Sequence, residues 1–551
     1  MGSALLDCLR GLCGAKKEEE EAELVSSVVE DALRREDEGL NFFRRHVPIR
    51  YVLTFMGFLS FTVLNMMRVD ISVGIVCMVN WKNLTDISEG QSCSYDSSVT
   101  NSSVNVRSDD EDGPFTISTL MQGVILAGYF YGLLATQYLG VILCERLSAK
   151  YLLLSGVFIS SLCTVLVPAA AHSSGIGLSV VQIFKGAGLG IVIPAFNTLI
   201  GKWIPLSERF YSMCIIGSGV PFGRFLGTLI SGKICKNENL GWSHIFYIFG
   251  GMGFIYCILW VAFIFESPLT HPYITYNEMI RILKSRVILP QPKTVVPWKY
   301  ILKSIHVWAY FILGFSSYWV LSIYTTLVPT FLSTVLKFDI EMVGAWSSLP
   351  YVFELIFFIY SCVLNDRLKR VARIRSAIVH KWSIVVGLIG FAAFFLGLPF
   401  SGCDRVIAIS CLVMAMAFYG IIIGSASHVP MALSPRYADK ISVIMNTFGA
   451  ITGIIPPTMM GLLTKEKHYM EAWRILFYIS AAIAIASLAI YIIFGATETQ
   501  KWNDPSFLNQ LDQDSSESSE SSTNQHKDRP WRTSSFANIP KEREPPVVVE
   551  Y

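Results

Sequence analysis

The sequence predicts an all-α membrane protein with twelve transmembrane helices in two six-helix bundles. Three observations carry that expectation. The 551-residue chain has a mean hydropathy of +0.48 and only 16% charged residues, outside the range of soluble globular domains. Its apolar residues gather into about twelve runs, each near the roughly 20 residues that a helix needs to cross a bilayer. The longest internal break, 267–303, divides the runs six and six.

In chain order, a polar tail over 1–50 carries acidic Glu18 to Glu21 and basic Arg34 and Arg35. The first apolar run, 51–80, is followed by a polar loop, 81–114, and by runs at 115–140, 151–172, 177–202, 210–232 and 243–266. These make an N-terminal six-helix bundle over 51–266. The linker 267–303 leads to a C-terminal bundle over 304–495, with runs at 304–333, 342–365, 378–400, 405–431, 441–464 and 473–495. A polar tail over 496–551, with acid-flanked serines at 512–523, has the composition of a disordered segment. Basic residues set the orientation. Arg44, Arg45 and Arg50 precede the first run, Arg281, Lys284, Arg286, Lys293 and Lys299 lie in the linker, and Arg367, Lys369, Arg370, Arg373, Arg375 and Lys381 follow the eighth. With twelve spans all three groups fall on one side, so both termini and the linker are expected in the cytoplasm. The loop 81–114 then faces the opposite side, where its sequons at Asn83 and Asn101 are expected to be glycosylated. No cleavable signal precedes the first span, so that span directs insertion. The plasma membrane and a lysosomal or vesicular membrane both suit such a multi-pass protein.

Several function classes are excluded. Lys and Arg form no stripe with interleaved aromatics, so no nucleic acid is expected. The 12 cysteines show no CxxC pair and no metal-ligand spacing, so neither a metal nor a cofactor is expected. Most lie in apolar runs as packing residues; Cys93, Cys235 and Cys403 fall in short polar loops and leave a disulfide open. No nucleophile–base pair, HExxH or phosphate-binding glycine loop occurs, so the chain does not read as an enzyme.

The two halves echo each other. Cys144-Glu145-Arg146-Leu147 after the second run is answered by Asn365-Asp366-Arg367-Leu368 after the eighth. Gly241-Trp242 opens the sixth run and Ala472-Trp473 the twelfth, each followed by Phe-Tyr-Ile. Gly219, Gly223 and Gly227 in the fifth run have a counterpart in Gly449 and Gly453 of the eleventh. A duplicated six-span unit is the plan of the major facilitator fold, which holds its substrate near midplane between the halves. Glu145 with Arg146, and Asp366 with Arg367, then read as charge locks on the cytoplasmic side. The spaced glycines let helices approach closely and slide.

Charges inside the spans point to the cargo. Arg68 lies about 26 Å along its helix from Tyr51, at 1.5 Å per residue. A guanidinium at that depth keeps its proton and costs several kcal/mol unless it meets a partner or water. Lys185 and Arg224 reach similar heights, about 27 Å above Trp203 and about 21 Å above Phe210. Three cations at one level repel one another unless an anion sits among them, so Arg68, Lys185 and Arg224 are candidate substrate-binding residues for a small anion. Asp70 is about 200° around the helix from Arg68 and need not pair with it. Glu354, alone in the eighth run, is either a coupling or gating acid or the partner of an intramembrane cation. His428 is a candidate sensor of lumenal pH, against a packing histidine. Tyr129, Tyr131, Trp319 and Tyr324 are candidates for the cavity wall, against ordinary packing.

One set of motifs resembles a known family. Arg68-Val-Asp-Ile-Ser-Val, the stretch from Gln122-Gly123 through Tyr129-Phe130-Tyr131-Gly132 to Glu145-Arg146, Trp203-Ile-Pro205, Gly241-Trp242, Leu349-Pro350-Tyr351 and Pro435-Arg436-Tyr437-Ala438 keep their order over about 50–495. Together they resemble the anion–cation symporter family, which includes type I phosphate transporters, sialin and vesicular glutamate transporters. The resemblance implies a major facilitator fold and secondary active transport of small organic or inorganic anions by alternating access, driven by protons, sodium or membrane potential. The implied partners are a small anion, a co-transported proton or sodium, and membrane lipid. Departures accompany it. Where sialin-like members carry two glutamates in the fourth span, this chain has Lys185-Gly186-Ala-Gly188-Leu189-Gly190, which removes sialin-type proton coupling from that position. Those losses and the serine-rich tail motivate the alternative of a non-transporting membrane receptor or scaffold on the same fold.

Overall fold

The computed structural model describes residues 48–80 and 113–504, apart from 238, 273, 288–295, 372–374, 467–468 and 496–497. The sequons at Asn83 and Asn101, Cys93, most of both polar tails and the side chain of Glu145 lie outside the described residues. The chain divides into two units, Met1–Gln500 and Lys501–Tyr551, and the second is described only at a short 3-10 turn, Lys501–Asn503.

Twelve helices are long and apolar enough to cross a membrane: α1 Ile49–Met78, α2 Thr119–Cys144, α3 Ala149–Ser173, α4 Gly175–Trp203, α5 Ser207–Lys236, α6 Ser243–Phe263, α7 Ile305–Thr334, α8 Ile340–Leu368, α9 Ala377–Phe400, α10 Arg405–Leu433, α11 Lys440–Thr464 and α12 Met470–Phe494. Their ends differ from the apolar runs by a few residues because the helices continue into polar sequence. α5 starts at Ser207, ahead of the apolar run at 210, and α8 carries on past Asn365. Odd-numbered helices start at one end of the molecule, called here the near end, and even-numbered helices start at the far end.

Glycines decide how closely the helices of the first bundle meet. A Cβ at Gly219 or Gly223 of α5 would run into the backbone oxygens of Phe58 and Thr62 on α1, and one at Gly227 would stand 2.6 Å from Val69 Cγ2. A Cβ at Gly186 would strike the backbone of Tyr129 on α2, and one at Gly188 the side chain of Ser160 on α3, so α4 threads between these two helices. The bundles meet along α5 against α8 and α2 against α11. At the far end of the first seam, a Cβ on Gly232 would lie 2.7 Å from Gly344 Cα. α7 is interrupted by a π turn at Ile323–Leu327, just before Pro329, and both the turn and the last segment of α7 pack on α1. Proline cannot donate to the ladder, and the widened turn absorbs the missing bond.

Polar locks sit at the near end. Glu278, on the linker helix Tyr276–Val287, accepts from the backbone nitrogens of Ile49 and Arg50 at 3.1 and 3.1 Å and so caps α1. Arg50 and Arg281 both reach Glu208 at the start of α5, at 2.7 and 2.6 Å. Glu266 accepts from the backbone of Lys150 at 2.9 Å and pairs with Lys202, joining the near ends of α3 and α4 to the segment after α6. These contacts, rather than Arg146, make the lock of the first half; Arg146 is exposed. In the second half Asp366 accepts from Tyr211 on α5 at 2.7 Å and pairs with Arg370 at 3.0 Å, while Arg367 is exposed. Of the motif expected to lock spans together, Asp366 makes a contact across the bundle seam, while exposed Arg367 is not part of it. A disulfide joins Cys77 at the far end of α1 to Cys235 at the far end of α5. It corrects the expectation that Cys77, as part of an apolar run, only packs.

Candidate functional site

The site grows from α1. Arg68 is 8% exposed, and its guanidinium carbon lies 5.3 Å from the ring centre of Tyr129 and 4.9 Å from that of Phe130 on α2. Its Nε and Nη2 are buried and have no hydrogen-bond partner, and no carboxylate among the described residues lies within ion-pair distance of it. Contact with two rings is worth about 0.5–2 kcal/mol. Burying an unpaired charge costs several kcal/mol even after relaxation. Aromatic contact alone therefore leaves Arg68 short of a partner of opposite charge.

The other two intramembrane cations are already satisfied. Lys185 Nζ on α4 donates to both carboxylate oxygens of Asp70 at 2.7 and 2.7 Å, with Asp70 0% and Lys185 1% exposed. Arg224 Nη1 on α5 donates to both oxygens of Glu354 on α8 at 2.9 and 3.1 Å, and its Nε reaches Asn65 Oδ1 at 3.4 Å. The first pair stays inside the N-terminal bundle, whereas the second crosses the seam. The expectation of three mutually repelling cations is corrected on this point, because helix rotation gives Lys185 and Arg224 carboxylates of their own. Arg68 keeps an open valence.

Around Arg68 stand Arg224 and three tyrosines within electrostatic reach: Tyr129 from the first bundle, and Tyr318 of α7 and Tyr419 of α10 from the second. The Tyr318 hydroxyl donates to Asn446 Oδ1 on α11 at 3.0 Å, and the Arg224 guanidinium lies 5.9 Å from the ring centre of Tyr351 on α8. Arginines of the first bundle thus lie within electrostatic reach of tyrosines from the second, at the level where the two bundles meet.

A model of the Major Facilitator Superfamily matches residues 51–457. Sialin of the sheep Ovis aries is 32% identical over 453 residues, covering 82% of this chain and 90% of that protein. A putative inorganic phosphate cotransporter of Drosophila melanogaster is 31% identical over 469 residues, covering 84% and 88%. The chain belongs to the anion–cation symporter family of the major facilitator superfamily. A bacterial homologue of the human lysosomal transporter Spinster, solved in an inward-facing, unoccupied conformation, superposes with a TM-score of 0.60 at 16% identity, covering 81% of this chain and 97% of the other, and shows the shared fold. Members and structural neighbours alike are membrane transporters rather than enzymes, and nothing favours the receptor or scaffold alternative.

Within this family member the predicted site residues fall into two groups. Arg68, Tyr129, Arg224 and Glu354 come together. Tyr131 is 44% exposed on α2 and makes no contact with Arg68 or Arg224 among the contacts of the described residues. Trp319 is buried inside the second bundle, where its Nε1 donates to Ser480 Oγ at 2.8 Å, and the Tyr324 hydroxyl donates to the Leu412 carbonyl at 2.7 Å. Both pack rather than line the space, since their polar tips are spent on neighbouring helices. His428 lies at the near end of α10, its ring 4.6 Å from that of Phe210 and 4.8 Å from that of His380. It lies at the same end as the Glu278 and Glu266 locks, packed among aromatic rings. Sequence reasoning missed Asn65, Tyr318, Tyr351, Tyr419 and Asn446 as site residues. Their one signal was polar atoms in the middle of apolar runs.

Proposed function

We propose that the protein is a secondary active transporter that carries a small organic or inorganic anion by alternating access of its two bundles, with Arg68 as the group that receives the anion's charge. One observation carries the reading: of three intramembrane cations in the first bundle, Arg68 alone has guanidinium nitrogens left buried and unpartnered. The names of the relatives, sialin and an inorganic phosphate cotransporter, support an anionic cargo. The basic residues at the near end support an orientation with that end, and both termini, in the cytoplasm.

The second ion pair supports a proton as the coupling ion. An anion arriving between Arg68 and Arg224 competes with Glu354 for the Arg224 guanidinium. A buried carboxylate that loses its cation takes up a proton. Anion binding thereby draws a proton onto Glu354, and return of Glu354 to Arg224 releases both. Sodium and membrane potential are the other drivers that the family resemblance implies. The test is uptake into proteoliposomes of radiolabelled phosphate, glutamate, sialic acid and urate under imposed pH, sodium and voltage gradients. At least one anion is expected to accumulate, with a pH-gradient acceleration that Glu354→Gln removes. No uptake of any of them under any gradient contradicts the reading.

A further inference from the structure

The Asp70–Lys185 pair serves neither of these steps. α1 and α4 belong to one bundle, which moves as a body in alternating access, so the pair has no reason to break during the cycle. The groups facing it are Tyr129 from α2 and Cys163 from α3, with Arg68 on its own helix. A carboxylate held in that interior needs a compensating positive charge, which a proton, a metal cation or a basic side chain can supply. Here a side chain supplies the charge.

We propose that Lys185 is a tethered counter-ion, occupying on Asp70 the place of an exchangeable cation and thereby withdrawing Asp70 from ion coupling. Removal of the ammonium opens a latent proton or sodium site at Asp70. The consequence for transport rests on the anion-carrier reading, in which coupling is left to Glu354. The ion site itself does not rest on that reading.

Thermal unfolding of the purified full-length protein in lipid nanodiscs tests it. Each variant is compared with wild type between pH 5 and pH 9, in sodium chloride and in N-methylglucamine chloride of equal strength. Lys185→Met leaves a carboxylate that must take a proton to stay buried. Its deficit is expected to be about 5 °C or more at high pH, to close as the pH falls, and to narrow in sodium. Asp70→Asn leaves an ammonium that must lose a proton, so its deficit is expected to be largest at low pH and to close as the pH rises. The double variant Asp70→Asn/Lys185→Met is expected to differ from wild type by an amount independent of pH and sodium. Parallel, pH-independent deficits in the two single variants, or a Lys185→Met protein indistinguishable from wild type, overturn the proposal. If only one single variant can be purified, the sign of its slope decides. If neither can, purification of the double variant upholds mutual neutralisation, and its failure overturns it. Failure of the anion reading shows itself separately, as absent flux, and leaves these slopes untouched.

Discussion

Cutting the Arg224–Glu354 pair on one side measures how firmly the two bundles are held together at the level of the site. Both side chains are 4% exposed, and Nη1 meets both carboxylate oxygens at 2.9 and 3.1 Å. Arg224→Met strands Glu354 in the seam, and Glu354→Met strands Arg224 beside Arg68. Removing one member of a buried pair costs about 3–5 kcal/mol, because the remaining charge keeps its desolvation penalty without its attraction. At 1.4 kcal/mol per power of ten, that is a factor of about 100 to several thousand in the folding equilibrium. The double variant Arg224→Met/Glu354→Met removes both charges and replaces them with side chains that fill much of the same volume. It is expected to cost less than either single change, giving a large coupling of favourable sign in a double-mutant cycle. The assay is denaturant unfolding of the purified protein in mixed micelles, followed by tryptophan fluorescence. Single variants that lose less than about 1 kcal/mol, or a double variant that loses the sum of the two, refute the reasoning.

Three further outcomes follow from contacts outside the site. Glu278→Ala removes the acceptors for Ile49 and Arg50 at the start of α1 and is expected to cost about 1–2 kcal/mol, the range of a lost helix cap, by the same unfolding assay. His271, packed between the rings of Trp203 and Phe265 in the segment after α6, is pushed down to about 4 by burial, with the Lys150 ammonium adding to the shift. Its neutral form is the folded one, so its contribution is full above the ordinary histidine value near 6.5 and is lost as the pH falls toward about 4. His271→Phe is expected to flatten the stability profile in that window. Cys77→Ser/Cys235→Ser removes a disulfide spanning 158 residues of sequence and is expected to cost about 2–5 kcal/mol by the same unfolding assay.

The twelve spans were legible because apolar length is a one-dimensional property. A run of the right length must bury its backbone in its own hydrogen bonds to cross lipid, whatever its neighbours are. The depth of Arg68, Lys185 and Arg224 was legible for the same reason, since rise per residue converts position to height. Which way each side chain points was not. Asp70 and Lys185 are 115 residues apart, and Arg224 and Glu354 are 130 apart. Their pairing depends on the rotation of four helices, which is set by glycine contacts such as Gly223 on Thr62 and Gly186 on Tyr129. The facing of Trp319 and Tyr324 was hidden on the same ground, whereas Tyr129 does stand beside Arg68. Trp319 and Tyr324 share helix α7 with Tyr318, but rotation turns Tyr318 toward the arginines and the other two into the bundle. The near-end locks escaped notice because Glu278 lies in the linker and Glu266 at the very end of the sixth run, where polar residues read as solvated.

Exchange of the Arg68 side chain tests the central claim most directly. The measurement is initial anion uptake into proteoliposomes by wild type, Arg68→Lys and Arg68→Ala, at matched reconstitution and with folding checked by thermal unfolding. The account predicts that Arg68→Ala loses uptake by about 100-fold or more, as expected when a buried charge-assisted contact worth about 3 kcal/mol disappears. Arg68→Lys, which keeps the charge but not the planar fork, is predicted to retain a part of it. A folded Arg68→Ala protein that carries the anion at the wild-type rate contradicts the account.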